Sequence, residues 1–429
     1  MQHDRRDARD AHTLTNPSHA EPGWPPAVIA GAWRTGVLGV RSLIRRGVRA
    51  YCFDHERTYP GFKSSYARAL VCPNPDLDPE AWLSFLIELA GRLGEKKPVL
   101  IASADQYVSA IAQHEAALSD HYVLPPRVAL QGLLATKETQ YALAAEHGMP
   151  MPSTRFVTSE AEVAQFAASA SYPCLLKPIH FREWQAFSAD HPLHYQKVAI
   201  ADTRDELVAH WRLAAEANPR VIVQEIIQGP DTAKRVYVSC YDRRGERIGA
   251  AIFRELRCDP LGFGPATVSE PINDPEADET CDRFLRSIGY SGVCEIEMKW
   301  DSRDGRIKLI EANPRLTGGG DAAPYAGLDT CWLHYLDLIG VPVSPVTTSN
   351  REFRHVVLRS EVAAIAAYRR AGLLPWKDLL RSYKPPLAFF DLDSQDWRYS
   401  VETIYRMARS VVGVGVRSLS GARRKSHKP

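Results

Sequence analysis

The sequence predicts an α/β chain built from more than one lobe. Its 429 residues exceed the roughly 250–300 at which a single hydrophobic core stops growing. Short apolar runs alternate with helical stretches over the first hundred residues, the pattern of a doubly wound parallel sheet. Beyond Pro150 the style changes to β-rich segments joined by tight Asp- and Gly-containing turns. Apolar residues make up 45% and charged residues 24%, as in ordinary soluble globular proteins.

The residues 1–26 are polar and lack a signal-peptide apolar core, so they read as a disordered leader. The first lobe is expected over 27–125. In it the run AVIAGAW gives a buried strand, Val37–Arg46 a helix, RAYCFD a second strand, Pro79–Leu93 a helix and PVLIAS a third strand. Pro125-Pro126 breaks both regular structures and marks a boundary. A helix from Lys137 should end at Gly148, with Thr136 as an alternative ordinary N-cap. A second body covers 126–345, and two helical stretches, Glu361–Arg370 and Trp397–Val412, with a basic tail occupy 346–429. Eight cysteines stand singly without a C-x-x-C pair, which reads as reduced thiols and, by default, a cytoplasmic address. No apolar run approaches the roughly 18 residues of a membrane helix.

The segment Val293–Arg315, VCEIEMKWDSRDGRIKLIEANPR, reads as two strands around a turn. Folding about Asp304 pairs Trp300 with Lys308 and sets Glu297 opposite Glu311. Such cross-strand Cβ atoms lie about 4.5–5.5 Å apart, and like charges there are destabilising. Asn313 shares the face of Glu311. Two carboxylates and an amide oxygen converging this way suit a hard cation, Mg²⁺ with Mn²⁺ as the alternative. Glu295 shares the face too and rivals Glu297. A loop bulge would turn every side chain over, and a solvated face paired to lysines is the ordinary alternative. Lys177 ends the apolar strand CLLKP, where an ammonium can neutralise a phosphate or merely snorkel. In VIVQEIIQG the polar pair Gln224-Glu225 interrupts an apolar strand and needs partners. The adenine edge, one donor and one acceptor, would supply them.

A strand with Glu-Φ-Lys, a turn, then IEANPR resembles the metal-binding signature of the ATP-grasp superfamily, in its carboxylate–amine ligase branch; Met298 replaces the more usual aromatic. The resemblance covers about 28–340. It implies an N-terminal Rossmann-like lobe, a two-part ATP-grasp body with its lid near 150–225, and a helical C-terminal extension. It also implies ATP as the nucleotide, Glu297, Glu311 and Asn313 on Mg²⁺, and Arg315 on the phosphates or an acyl-phosphate. Lys137 becomes a second phosphate lysine. Glu225, with Gln224, Ile226 and the backbone of Ile227, forms the adenine hinge, and Asp231 is the weaker candidate for ribose. Arg257, chosen over Arg254, is expected to face the transferred phosphate. The stretch Pro178–Lys197 would be the phosphate-covering loop, though it lacks the glycines usual there.

Several motifs point nowhere. Gly31, Gly36 and Gly39 do not make G-x-G-x-x-G, His114-Glu115 lacks a second zinc histidine, and no Gly-Lys dipeptide exists for a Walker A loop. His180, His191 and His194 have no regular ligand spacing. The expected reaction is ATP-dependent activation of a carboxylate and its joining to an amine, with release of ADP and phosphate. The alternatives are a kinase- or carboxylase-like member and a nucleotide-binding regulator without turnover. Expected partners are small carboxylate and amine substrates, with a homodimer left open. Neither nucleic acid nor a membrane-inserted segment is expected.

Overall fold

The computed structural model describes residues 23–94, 96–179, 182–348, 352–389 and 391–409. The leader through residue 22 and the basic tail after 409 lie outside them.

Four parallel strands, β1 (Ala27–Ala30), β2 (Ala50–Asp54), β3 (Ala69–Val71) and β4 (Val99–Ala102), form the first sheet in the order β3-β2-β1-β4. β1 and β2 are buried on both faces, as expected of a sheet with helices on either side. The short β3 had no clear signal in the sequence. Its outward residues are half-exposed, so it is an edge strand with little apolar content to betray it.

A second sheet of four antiparallel strands contains β5 (Thr154–Val157), β6 (Cys174–Pro178), β7 (Ala199–Ala201) and β8 (Val221–Glu225), in the order β5-β8-β6-β7. It has its own core, with Val163, Leu176, Trp184, Leu193 and Val223 among the buried residues. The loop expected to cover phosphates is part of this packing. Trp184 and Leu193 are buried, and Phe187 stacks on His191.

The third sheet has seven strands in the order β13-β12-β9-β10-β11-β14-β15. They are β9 (Lys234–Tyr241), β10 (Arg247–Cys258), β11 (Ala266–Ile272), β12 (Gly292–Trp300), β13 (Ile307–Asn313), β14 (Arg354–Val356) and β15 (Leu387–Phe389). The two expected hairpin turns close β9–β10 and β12–β13, with Gly245 and Gly305 at positive φ, which glycine adopts without penalty. The C-terminal segment is not only helical. Besides the helices Leu358–Arg370, Trp376–Arg381 and 397–409, it adds β14 and β15 to this sheet. Three-residue strands carry too little alternation to stand out from their surroundings.

The first lobe packs directly on the third sheet. One buried cluster runs from Val37 and Val40 through Leu316 and Ala322 to Val236 and Phe253. The Leu316 N–H donates to the Ala102 carbonyl at the end of β4 (3.1 Å). The chain leaving β13 is thereby tied to the C-terminal edge of the parallel sheet, where open α/β sheets place their sites.

Candidate active site

β12 and β13 set the site. Glu297 pairs with Glu311 and Glu295 with Asn313, so all four side chains share one face. The sequence reading of Glu297 against Glu311 holds, but by a different route. Trp300 pairs with Ile307, not Lys308, and a bulge between Met298 and Glu297 restores the register. The extra residue is Ile310, and its carbonyl accepts from the Tyr141 hydroxyl (2.8 Å). A bulge commonly re-aims side chains beside a site.

Glu295 is buried, and its Oε2 accepts from Thr317 Oγ1 (2.7 Å) and from the Gly319 N–H (2.9 Å). A Cβ at Gly319 would lie 2.0 Å from that oxygen, so the glycine permits the approach. Glu295 is thus anchored to the loop after β13. Among the described residues no donor reaches the carboxylates of Glu297 or Glu311. Burial, then the carboxylates of Glu295, Glu311 and Glu255, push Glu297 well above the usual carboxylate range against the pull of Lys234. Directly opposed carboxylates without donors are the arrangement that a divalent cation relieves. No three His, Cys, Asp or Glu side chains among the described residues form a metal cluster by themselves. The donor set here is two carboxylates and the amide of Asn313, which leaves coordination positions for phosphate oxygens and water, as Mg²⁺ prefers.

Asn313 Oδ1 accepts from Arg315 Nη2 (2.9 Å), and Arg315 grips Asp105 through Nε (2.6 Å) and Nη2 (2.9 Å). Asp105 opens the helix Asp105–Gln113 of the first lobe, so Arg315 joins the lobes at the site. Glu297, Glu311, Asn313 and Arg315 line one cavity of about 220 Å³, together with Arg34, Phe253, Glu255, Ser269, Thr317, Gly319 and His355.

Lys177 lies on the second sheet. Its Nζ donates to Gln224 Oε1 (3.1 Å) and sits 5.5 Å from the centre of the Tyr141 ring. Burial lowers its pKa to about 8, opposed by Glu311. Gln224 Nε2 donates to Tyr141 (2.9 Å) and Thr154 (2.8 Å). A chain of hydrogen bonds therefore runs from Lys177 through Gln224 and Tyr141 to the bulge at Ile310. Lys137 is half-buried at the start of its helix and makes no ion pair among the described residues, and Thr136 supplies no side-chain cap.

The hinge splits by residue. The Glu225 carboxylate accepts from the Ser171 N–H (2.7 Å) and lies 3.8 Å from Arg303. The Ile226 carbonyl accepts from Arg303 (3.3 Å). Ile227 is buried, yet its N–H and C=O make no hydrogen bond among the described residues. A main-chain donor and acceptor left open on one residue can meet a ligand edge that carries one of each. Asp231 accepts from the Tyr368 hydroxyl of the helix Leu358–Arg370 and lies 3.8 Å from Lys234.

Arg257 is a correction. A bulge in β10 sets Glu255 against Ser269 but Arg257 against Val268, which turns Arg257 to the face away from the cavity. There it is fully buried between the Glu361 carboxylate and Ser382 Oγ (2.9 Å). Arg254 pairs with Glu270. The charged residue that β10 presents to the cavity, beside Phe253, is Glu255, which burial raises to about 7 and whose ion-pair partner is Lys234 at 3.2 Å. Sequence reasoning missed Glu255, Lys234, Arg34 and His355. It also passed over Thr317-Gly-Gly-Gly320, whose position right after IEANPR was a usable signal.

No family model matches the chain. It is 29% identical over 278 residues to a D-aspartate ligase of Enterococcus faecium (strain Aus0004), covering 62% of this chain. The match spans 65% of that relative, a little under two thirds of its length. Among solved structures it is similar to an N5-carboxyaminoimidazole ribonucleotide synthetase in complex with ADP. The TM-score is 0.60 at 16% identity, over 81% of this chain and 86% of that one. It is also similar to an L-amino acid ligase from Bacillus licheniformis, with a TM-score of 0.55 at 15% identity over 73% and 74%. These structural likenesses are ones of fold.

Proposed function

We propose that this chain, which has the ATP-grasp fold, is an ADP-forming ligase that activates a small carboxylate as an acyl-phosphate and transfers it to an amine. The observation that carries the reading is the pair Glu297 and Glu311, opposed across β12 and β13 with no donor on either carboxylate among the described residues. Its relative is named for D-aspartate, a compact acid that is also an amine.

In this reading Glu297, Glu311 and Asn313 hold Mg²⁺, which offsets charge on the phosphates when bound. Lys177 adds a cation from the lid sheet, Lys137 a second, and the Ile227 backbone receives adenine. Arg315, fixed by Asp105, holds Asn313 in place and faces the transferred group. Nothing lining the cavity is an activated serine or cysteine nucleophile. The substrate carboxylate oxygen therefore attacks the γ-phosphorus and ADP leaves. The amine nitrogen then attacks the acyl carbon, phosphate leaves with the C–O bond electrons, and the nitrogen gives up its proton. The residues contribute positioning and electrostatics.

With carboxyl-¹⁸O acid, one labelled oxygen should appear in the released phosphate and ADP should accumulate. Hydroxylamine should trap the activated acyl group as a hydroxamate. Formation of AMP and pyrophosphate, or unlabelled phosphate, rules the mechanism out. Turnover with bicarbonate alone would favour the carboxylase-like alternative.

A further inference from the structure

The helix 397–409, WRYSVETIYRMAR, carries a second apolar face, turned to solvent. Its inward residues Tyr399 and Thr403 are buried, and Asp396 holds its start. That carboxylate accepts from Arg41 Nη2 (2.8 Å) and Nε (3.0 Å), Ser64 Oγ (2.6 Å) and the Ser65 N–H (2.6 Å). Arg41 also lies 4.6 Å from the centre of the Tyr399 ring, so the helix is fixed in rotation on the first lobe. A surface helix docked this way ordinarily turns polar residues outward. Here Trp397, Val401, Ile404 and Tyr405 are 59, 56, 48 and 56% exposed, and their spacing places them in one stripe along the outer face. Arg398 and Arg409 border it, 5.5 Å from the Trp397 ring centre and 5.9 Å from that of Tyr405. The acid of this helix, Glu402, is paired with Arg406. The sequence after it, residues 410–429, brings Arg417, Arg423, Arg424, Lys425 and Lys428 and no acidic residue.

We propose that this face seats the protein on an anionic lipid surface, with the stripe at the boundary of headgroups and acyl chains and the basic residues on the headgroup charges. The inference is independent of the ligase reading. A contiguous apolar patch on an outer face marks an interaction site, and the charge beside it selects the occupant. Aromatic rings at the two ends of an aliphatic stripe, with arginines alongside, match the composition of a helix lying in a membrane interface. Nucleic acid would use the cations but has no use for Val401 and Ile404 between them. A second copy would cover the stripe but bring its own Arg398, Arg409 and basic segment against like charge. No helix among the described residues is long and apolar enough to cross a membrane, so the contact lies in the plane of the surface.

The test is co-sedimentation of the full chain with vesicles of equal parts phosphatidylglycerol and phosphatidylcholine, and with vesicles of phosphatidylcholine alone. Wild type is compared with Val401→Glu plus Ile404→Glu and, separately, with Arg423→Gln, Arg424→Gln and Lys425→Gln combined. Wild type should bind the anionic vesicles at least about tenfold more tightly than the neutral ones, which two basic residues near such a surface already supply. Added salt should narrow that difference. The glutamate pair should weaken binding to anionic vesicles by at least about tenfold, the scale of withdrawing two aliphatic side chains from the interface. It should keep the wild-type circular dichroism and affinity for a non-hydrolysable ATP analogue, since both positions are exposed. The glutamine triple should reduce the preference for anionic over neutral vesicles. Failure of the wild type to bind anionic vesicles overturns the inference, as does tighter binding to duplex DNA than to vesicles. Equal binding by wild type and the glutamate pair, or an unchanged lipid preference in the glutamine triple, overturns it too. A dimer that the glutamate pair abolishes, without vesicle binding, assigns the stripe to a second copy instead.

Discussion

Two clusters of charge, one half-buried and one fully buried, sit on the same seven-stranded sheet and behave in opposite ways. On β12 and β13, Glu297 faces Glu311 with no donor on either carboxylate among the described residues. At the far end of β10, Arg257 has all three guanidinium nitrogens engaged, Nε and Nη2 by Glu361 and Nη1 by Ser382, and Tyr383 donates to the same Glu361 oxygen. Both clusters would catch the eye in a search for catalytic residues. The difference is the sign of the facing group: Arg257 meets its opposite charge in Glu361, although Glu361 Oε2 is itself buried without a hydrogen-bond partner among the described residues, whereas Glu297 meets its like. A buried charge matched by its partners joins two parts of a fold, whereas opposed like charges left unmatched cost stability and imply a ligand that removes the cost.

The largest effect should come from the unmatched cluster. Glu311→Gln keeps the volume and removes one of the opposed charges. MgATP-dependent turnover should fall by at least about a hundredfold, the scale of losing one preorganised electrostatic group. The thermal midpoint in the absence of nucleotide should stay or rise, because a repulsion has gone. A variant that keeps turnover, or that melts earlier than wild type, would erase the distinction between the clusters.

The matched cluster should respond in the reverse sense. Arg257→Met leaves Glu361 buried without its cation, a change that costs about 3–5 kcal/mol in buried pairs. Denaturant unfolding should show that loss. The affinity of the folded fraction for an ATP analogue should not change, since Arg257 faces away from the cavity. Loss of nucleotide affinity with full stability would restore the phosphate-facing role expected from the sequence.

These outcomes bear on how much of the molecule is legible in its sequence. The parallel lobe, the hairpins and the Glu297–Glu311 pairing were legible because they depend on local alternation and on a motif of adjacent residues. The true partner of Trp300 was not, since the turn and the Ile310 bulge cancel, and neither is visible in composition. Arg257 failed for the same physical reason. A one-residue bulge reverses every side chain beyond it, so a position two residues after Glu255 does not share its face. Arg34 and His355 were hidden by distance, because they meet the hairpin only through the packing of the first lobe and of two three-residue strands.

The smallest effect sharpens the comparison, because Lys177 stands between the two kinds of site. Its ammonium has one hydrogen bond, to Gln224, and an aromatic face nearby, but no ion pair among the described residues. Burial therefore dominates and lowers its pKa to about 8, with Glu311 alone pulling the other way. A cation held in this state gains from an arriving phosphate. Lys177→Ala should weaken nucleotide binding by roughly 1.5–3 kcal/mol, the range for a hydrogen bond to a charged group. The pH dependence gives the sign. A lysine with a folded pKa of about 8 is charged below that pH and increasingly neutral above it, so wild-type affinity should fall as pH rises through that value. The unfolded chain, with its lysine near the ordinary value of about 10.4, binds more protons in the window between. The Lys177 contribution therefore makes the free protein more stable as pH rises there. Affinity and stability thus move in opposite directions through one residue. Calorimetry across this range should show the affinity slope in wild type and a flatter one in Lys177→Ala. Equal slopes in the two proteins would mean that Lys177 belongs with Gln224 to the scaffold and that the phosphates are held by other cations.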